Sequence, residues 1–322
     1  MGSIPRDKGP DTHSLKLFDA DELTDPPQTA GGVVEMPSTF RKSAFDGYPV
    51  WTENKSKLIQ QYVYHFIMVT HHGTYIDGFA GPQVEEYNDD SWSAKRVLEI
   101  KPPWIRRFML CDLSPAQVGR LEQLKQERRD AGDKRKIEIL GGDFNVVVDS
   151  ILTPDNIGER EATFCLLDQR TFECQWKTVE KLAAYKSLSK IELFYFVPVG
   201  WLNRAMSRTT KQEDKLRAWW GRDDVDIVRN ARQVDVAELF VDRFQRELGY
   251  KKALAWPIHD RGSEGRVMYY MIHATDHPQA PKLMNRSYWK STKAAEPMAH
   301  TQAVLEGFEL GGAPLQGPPA GE

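Results

Sequence analysis

Short apolar runs that each end on an aspartate recur through the middle of the chain, and stretches of helical periodicity separate them. TYID closes on Asp77, FMLCD on Asp112, EILGGD on Asp143 and FCLLD on Asp168, about 25 to 35 residues apart. Neighbouring parallel strands need a crossover of a dozen or more residues, usually a helix, and this spacing supplies one each time. The pattern therefore calls for an α/β fold: a Rossmann-like, mostly parallel sheet with helices on both faces. The carboxyl ends of such strands line one crevice, so the four acids are expected to converge there.

The remaining periodicity fills in the order. A helix is expected over Glu53–Thr70, with Leu58, Ile59, Tyr62, Phe66 and Val69 on one stripe, followed by a strand at Thr74–Asp77. A helix at Ser91–Ile100 stops at Pro102-Pro103; a strand at Ile105–Asp112 leads into a helix opened by Ser114 and Pro115. Next come a strand at Ile137–Leu140, a helix after Asp143, a strand at Ala162–Asp168, a helix over Cys174–Lys186 and a strand at Ile191–Pro198. Two helical segments form an insertion over about 202–249. Two last strands, Ala253–Ile258 and Val267–Thr275, are joined by the hairpin-like loop HDRGSEGR. This domain spans 51–292. Residues 1–50, rich in Pro, Gly, Asp and Thr, read as a mobile arm that docks in places, and 293–322 as a flexible tail.

Composition narrows the function classes. The formal charge of the 322-residue chain is -3, so no global basic field argues for a nucleic-acid partner. No run approaches 18 consecutive apolar residues and the N-terminus lacks an apolar signal core, so a cytoplasmic protein with no membrane attachment is expected. Cys111, Cys165 and Cys174 are odd in number and form no C-x-x-C pair; they read as buried thiols rather than a disulfide or zinc framework. The basic run Lys125–Lys136 is interleaved with Glu127, Asp130 and Asp133 and reads as a solvated helix end. His71, His72, His259, His273 and His277 lack metal-ligand spacing, and Trp201, Trp219 and Trp220 read as packing residues.

The sign of the converging charges selects a ligand. Phosphates favour backbone N–H groups and cations, and neither G-x-G-x-x-G nor G-x-x-x-x-G-K-[ST] occurs. Carboxylates would repel pyrophosphate but suit a nucleoside that carries a cation and no phosphate, which describes S-adenosylmethionine. In this reading the loop Gly78, Phe79, Ala80 and Gly81 lets the backbone approach the ligand. Asp77 serves the amino-acid end, partly through water, Asp112 the ribose hydroxyls and Asp143 the adenine amine. Phe79, Leu113 or Phe144 either flank the adenine or pack the core, and Asp143 alone is equally a helix cap.

The segments KSKLIQQYV, YIDGFAGP, FMLCDLSP, GGDFNVVV, LLDQRTFECQWKTVEKLA and KIELFYFVPVGWLNRAM resemble the three-Cys-motif partner (TcmP) family over about Trp51 to Trp289. The resemblance implies a prokaryotic protein of class I S-adenosylmethionine-dependent methyltransferase architecture, with seven strands and the last antiparallel. It also implies a partner carrying a three-cysteine motif and related to radical S-adenosylmethionine enzymes, a motif to which this chain's own cysteines are unrelated. Lys55 falls on the family's lysine before the first strand; a surface lysine is the alternative.

The fourth acid opens the stretch where amino-group methyltransferases carry Asp/Asn-Pro-Pro-Tyr/Phe, and this chain departs from it. Asp168-Gln169-Arg170-Thr171-Phe172-Glu173 lacks the prolines that set a backbone acceptor. As catalytic candidates, Asp168 or Glu173 would orient or deprotonate a nucleophile, and Arg170 would clamp an acidic group. The alternative is an Arg170–Glu173 pair that fixes the loop. Three functions stay open: methyl transfer to a nucleic acid, nucleotide or partner polypeptide; a non-catalytic binding module for the three-cysteine partner; and a Mg²⁺-dependent nuclease built on clustered carboxylates.

Overall fold

A computed structural model describes residues 29–34, 50–82, 91–200, 202, 210–259 and 267–292. Trp201, most of the HDRGSEGR loop, the tail from 293 and the arm apart from 29–34 lie outside them.

The chain enters with two strands of two residues each, β1 (Thr29–Ala30) and β2 (Val33–Val34). Helix α1 (Val50–Thr70) precedes β3 (Gly73–Asp77), α2 (Ser93–Leu98) and β4 (Ile105–Asp112). Then follow α3 (Pro115–Asp130), β5 (Lys136–Gly141), α4 (Phe144–Ile151), β6 (Thr163–Leu167), α5 (Trp176–Ala184) and β7 (Glu192–Val197). Three helices, α6 (Thr210–Trp220), α7 (Asp226–Asn230) and α8 (Gln233–Arg246), lead to β8 (Lys252–His259), β9 (Val267–Thr275) and α9 (Ala280–Thr292).

The strands form one sheet in the order β1-β2-β8-β9-β7-β6-β3-β4-β5. From β3 to β7 every pairing is parallel, and β9 runs antiparallel to both neighbours, β7 and β8. Counted from β3, the seven long strands stand 3-2-1-4-5-7-6, the order and direction of the class I methyltransferase sheet. The order reverses between β3 and β6, which makes their carboxyl ends the topological switch point.

Side-chain alternation explains why helices cover both faces. Along β7, Leu193, Tyr195 and Val197 pack with one cluster, whereas Phe194 and Phe196 pack with the other. Every residue of β3, β6 and β7 is buried, as a doubly covered parallel sheet requires. One cluster holds Trp176, Trp219, Trp220 and Phe240, with ring centroids of the three tryptophans 4.8 to 5.8 Å from Phe240. Arg243 lies 3.8 Å over Trp176 and 4.4 Å over Trp220, its charge met by Glu247. The other cluster joins α1, α2 and α9 to the sheet through Leu58, Tyr62, Phe164 and Trp256. The three cysteines are buried free thiols.

Two features add detail to the sequence reading. Gly31 and Gly32, both at positive φ (56° and 80°), turn β1 into β2, and the Gly32 carbonyl accepts a hydrogen bond from Ala255 N–H, so part of the arm joins the sheet. Gly-Gly between short apolar residues is a hairpin signal, but runs of two residues are too short to show alternation. Among the described residues the insertion carries three helices where the sequence reading placed two helical segments, and Gly221, at φ 74° against Trp176, follows the end of α6. A Cβ there would sit 2.5 Å from Trp176 Cβ, so only glycine fits. No described helix is long and apolar enough to cross a membrane.

Candidate functional site

Strand register sets the four acids at graded depth along one edge. Asp77 is level with Leu110 and Leu166, so Asp112 and Asp168 lie two residues further out on the flanking strands. Asp112 is level with Gly141, and Asp143 again two residues beyond. Exposure follows this staircase from Asp77, 1% exposed, through half-buried Asp112 to exposed Asp143, whereas Asp168 is buried although level with Asp112. The acids act on one another. The Cys111 thiol is pushed up to about 12 by burial, with the charges of Asp112, Asp77 and Asp143 adding to the rise.

The loop after β3 folds back over these ends. Gly78 N–H donates to Leu166 O (3.0 Å) and Ala80 N–H to Cys111 O (2.8 Å), which ties the loop to both flanking strands. Gly81 N–H donates to Asp112 Oδ2 and Ser114 N–H to Asp112 Oδ1, each at 2.9 Å. A Cβ on Gly81 would meet Asp112 Oδ2 at 2.5 Å, so the loop reaches this carboxylate only as glycine. Gly78 faces the ring of buried Phe144, which a Cβ would approach to 2.9 Å, and Phe79 packs against the same ring. Ser114 begins α3 without a side-chain cap; Asp112 takes its N–H instead.

Asp77 is held differently. Phe79 N–H donates to one oxygen and Tyr75 O–H to the other, each at 3.1 Å. Burial pushes its carboxyl up to about 7 against the Phe79 hydrogen bond, and the nearby Asp168 charge adds to the rise. The folded state thus keeps a proton that the unfolded chain releases near pH 4. Stability contributed by this group is fully present below about pH 4 and is lost as pH rises from there through 7, by roughly 4 kcal/mol. Asp77→Asn retains both partners without an ionisable proton. It is expected to match the wild type at about pH 4 and below and to exceed its urea midpoint at pH 8; a variant weaker at both would contradict this balance.

Asp168 is buried and not free. Lys55 of α1 reaches both its oxygens, at 2.8 and 3.0 Å, with only 2% of the lysine exposed. The ammonium also lies 4.7 Å over Phe196. The surface-lysine reading of Lys55 is therefore overturned: its charge belongs to the interior and finds its counter-ion at the fourth strand end.

The loop after Asp168 is wired internally. Gln169, 1% exposed, donates to Phe196 O and accepts from Cys174 N–H, each at 2.8 Å. Glu173 accepts from the backbone N–H groups of Arg170 (2.7 Å) and Thr171 (2.9 Å). The Arg170 guanidinium instead reaches Pro82 O at 3.3 Å, so the loop is fixed by Glu173 on backbone rather than by an Arg170–Glu173 side-chain pair. Asn145, which sequence reasoning passed over, donates to Asp143 Oδ1 (2.7 Å) and Glu173 O (2.8 Å) and accepts from Thr178 O–H (2.7 Å). A polar residue two positions after a helix-capping Asp was the available signal.

What the rim can accept follows from unfilled valences. A carboxylate offers about four acceptor positions. Asp112 uses one on each oxygen, and Asp143 uses only Oδ1, toward Asn145, while capping α4. Beside them stand Leu113 and Val146, each 71% exposed and two of the four large exposed apolar side chains described. Two acceptors for a diol, one for an amine and apolar cover for a flat ring match the polar and apolar parts of a nucleoside. Asp77 carries the same number of bonds but is 1% exposed, below the loop it holds, and so fits a role in shaping that loop. Among the described residues no three His, Cys, Asp or Glu side chains form a group able to hold a metal ion.

The opposite, amino edge of the sheet also has a cavity, of about 100 Å³, beside Tyr62, Glu192 and Thr275. Burial would raise the Glu192 carboxyl, but hydrogen bonds from His273, Tyr62 and Thr275 hold it below its ordinary range. That network is closed on itself, and the space is far below the roughly 300 Å³ of a small-molecule pocket.

No protein-family model matches the sequence, and no curated protein does. Among solved structures, the chain is similar to yhhF from Escherichia coli, provisionally described as a methyltransferase. That likeness has 9% identity and a TM-score of 0.33, over 74% of this chain and 92% of the other. It is also similar to TYW2 of P. horikoshii in complex with MeSAdo, at 14% identity and TM-score 0.33, over 69% of this chain and 62% of the other. The strand order and directions, rather than these likenesses, define the fold.

Proposed function

We propose that the protein binds S-adenosylmethionine at the acidic strand edge and transfers a methyl group to a nucleic acid, a nucleotide or a partner polypeptide. The observation that carries this reading is Asp112, half-buried at the end of β4 beside the switch point, with one acceptor position open on each oxygen and the Gly81 N–H at its side. In this reading Asp112 receives both ribose hydroxyls, Asp143 Oδ2 receives the adenine amine, and Leu113 and Val146 cover the ring. Gly78 to Gly81 hold the backbone loop beneath the ligand, and Asp77 keeps that loop in shape from below. The cofactor supplies a methyl group activated by a sulfonium. Arg170, exposed and anchored on Pro82 O, offers its remaining donors to an acidic group of the acceptor, while Asp168 and Glu173 position the loop around it. The three-cysteine partner belongs to the proposal on the strength of the sequence resemblance alone.

A second reading, a binding module that performs no transfer, draws on one specific observation. Asp168 is taken by Lys55, Gln169 by Phe196 and Cys174, and Glu173 by two backbone N–H groups. Little of the fourth segment is left to orient a nucleophile. The two readings divide on turnover. Calorimetry on the full chain is expected to show heat of binding for S-adenosylmethionine and S-adenosylhomocysteine, and its absence for both would remove either reading. Incubation of a cell lysate with methyl-labelled cofactor is then expected to place label in RNA, DNA or protein. Binding without label would leave the module.

A further inference from the structure

We propose that a basic groove at the amino edge of the sheet, remote from the acids, binds the phosphodiester backbone of a nucleic acid. The cavity measures about 460 Å³ and is lined by Lys101 before β4 and Arg106 at its start, by Arg128 from the end of α3, and by Asp133, Lys134 and Arg135 before β5. Five cationic side chains thus meet one carboxylate, in a chain whose formal charge is -3. That carboxylate is spent locally: Arg135 and Arg128 both bind Asp133, Arg135 through a fork whose Nε contacts are 2.8 and 3.1 Å. Those contacts hold the Asp133 carboxyl well below the usual range, so it stays charged and keeps the two arginines in place.

Lys101, Arg106 and Lys134 are exposed and have no ion-pair or hydrogen-bond partner among the described residues. The negative end of α3 points into the same region but is muted, because the carbonyls of Glu127, Arg128 and Arg129 accept from Ala131, Asp133 and Gly132 N–H. Lysines on an edge strand also discourage pairing with another chain. That role does not account for Lys101, Arg106 and Lys134, none of which lies on the edge strand β5. No aromatic residue is among those lining the cavity, and Phe108 lies buried beneath Arg135, 4.8 Å from its ring, so the lining offers long cations and no ring to stack a base. This composition recognises backbone phosphates without reading sequence.

Six residue steps of β4, from Arg106, separate the groove from Asp112, about 20 Å along the strand. The groove is thus independent of cofactor binding, and its test can fail without touching that reading. The probe is a fluorescein-labelled oligonucleotide, single-stranded and duplex, titrated with the full chain and followed by anisotropy between about 50 and about 200 mM salt. The triple variant Lys101→Ala, Arg106→Ala and Lys134→Ala removes only exposed, unpaired side chains, so its unfolding midpoint and its heat of S-adenosylmethionine binding are expected to match the wild type. Its oligonucleotide affinity is expected to fall at least tenfold, and the slope of log affinity against log salt to become shallower by about two. No oligonucleotide binding by the wild type at the lowest salt, or equal binding by the variant, would overturn the proposal. So would competition by tripolyphosphate at equal phosphate concentration, which would assign the groove to small anions instead.

Discussion

Asp112→Ala is expected to weaken S-adenosylmethionine binding at least a hundredfold in calorimetry. The variant loses two charge-assisted hydrogen bonds to the ribose, each worth about 1.5 to 3 kcal/mol. It also releases the Gly81 and Ser114 N–H groups that now converge on the carboxylate. The glycine loop keeps its ties to Leu166 and Cys111, so the unfolding midpoint should move much less than the affinity. Asp112→Asn separates the two contributions: it keeps shape and one acceptor but lacks charge, and should fall between wild type and alanine. Undiminished affinity in the alanine variant would remove Asp112 from the ligand and with it the nucleoside reading of the edge.

Lys55→Met is expected to produce the largest loss of stability of any single change at the site. The methionine fills much of the lysine's volume and can rest on Phe196, so the deficit comes from the carboxylate left behind. Breaking a buried pair by removing one partner typically costs 3–5 kcal/mol, whereas replacing both partners with neutral groups is often close to neutral. The double variant Lys55→Met and Asp168→Asn should therefore recover most of what the single variant loses in urea denaturation. A single variant as stable as the wild type would mean that Asp168 finds compensation elsewhere and that the pair does not organise the edge.

The parts of this fold that could be read beforehand share a physical basis. Buried parallel strands must be apolar throughout, so Thr74–Asp77, Ile105–Asp112 and Ile191–Pro198 stand out from the polar helices between them. The acids were visible because a charge closing such a run has to lie at the sheet edge. What stayed hidden depends on the third dimension. Nothing near Lys55 announces that its charge is buried, because its counter-ion is 113 residues away. Gln169 and Asn145 are ordinary polar residues in sequence, and only packing shows that they stitch Phe196, Cys174, Glu173 and Thr178 together. Gly78 read as room for a ligand, yet its open side is occupied by Phe144. Gly221, which follows α6, is left-handed against a tryptophan, a contact that only packing shows.

The Lys55–Asp168 pair also has a bearing on biosynthesis. As the polypeptide leaves the ribosome, α1 and the first three core strands emerge well before β6 does. Until position 168 is translated, docking α1 in its final place would bury a lone ammonium, which opposes early closure. The nascent N-terminal half is thereby kept from setting prematurely, and α1 docks without a lone buried charge only once the fourth core strand has arrived beside β3.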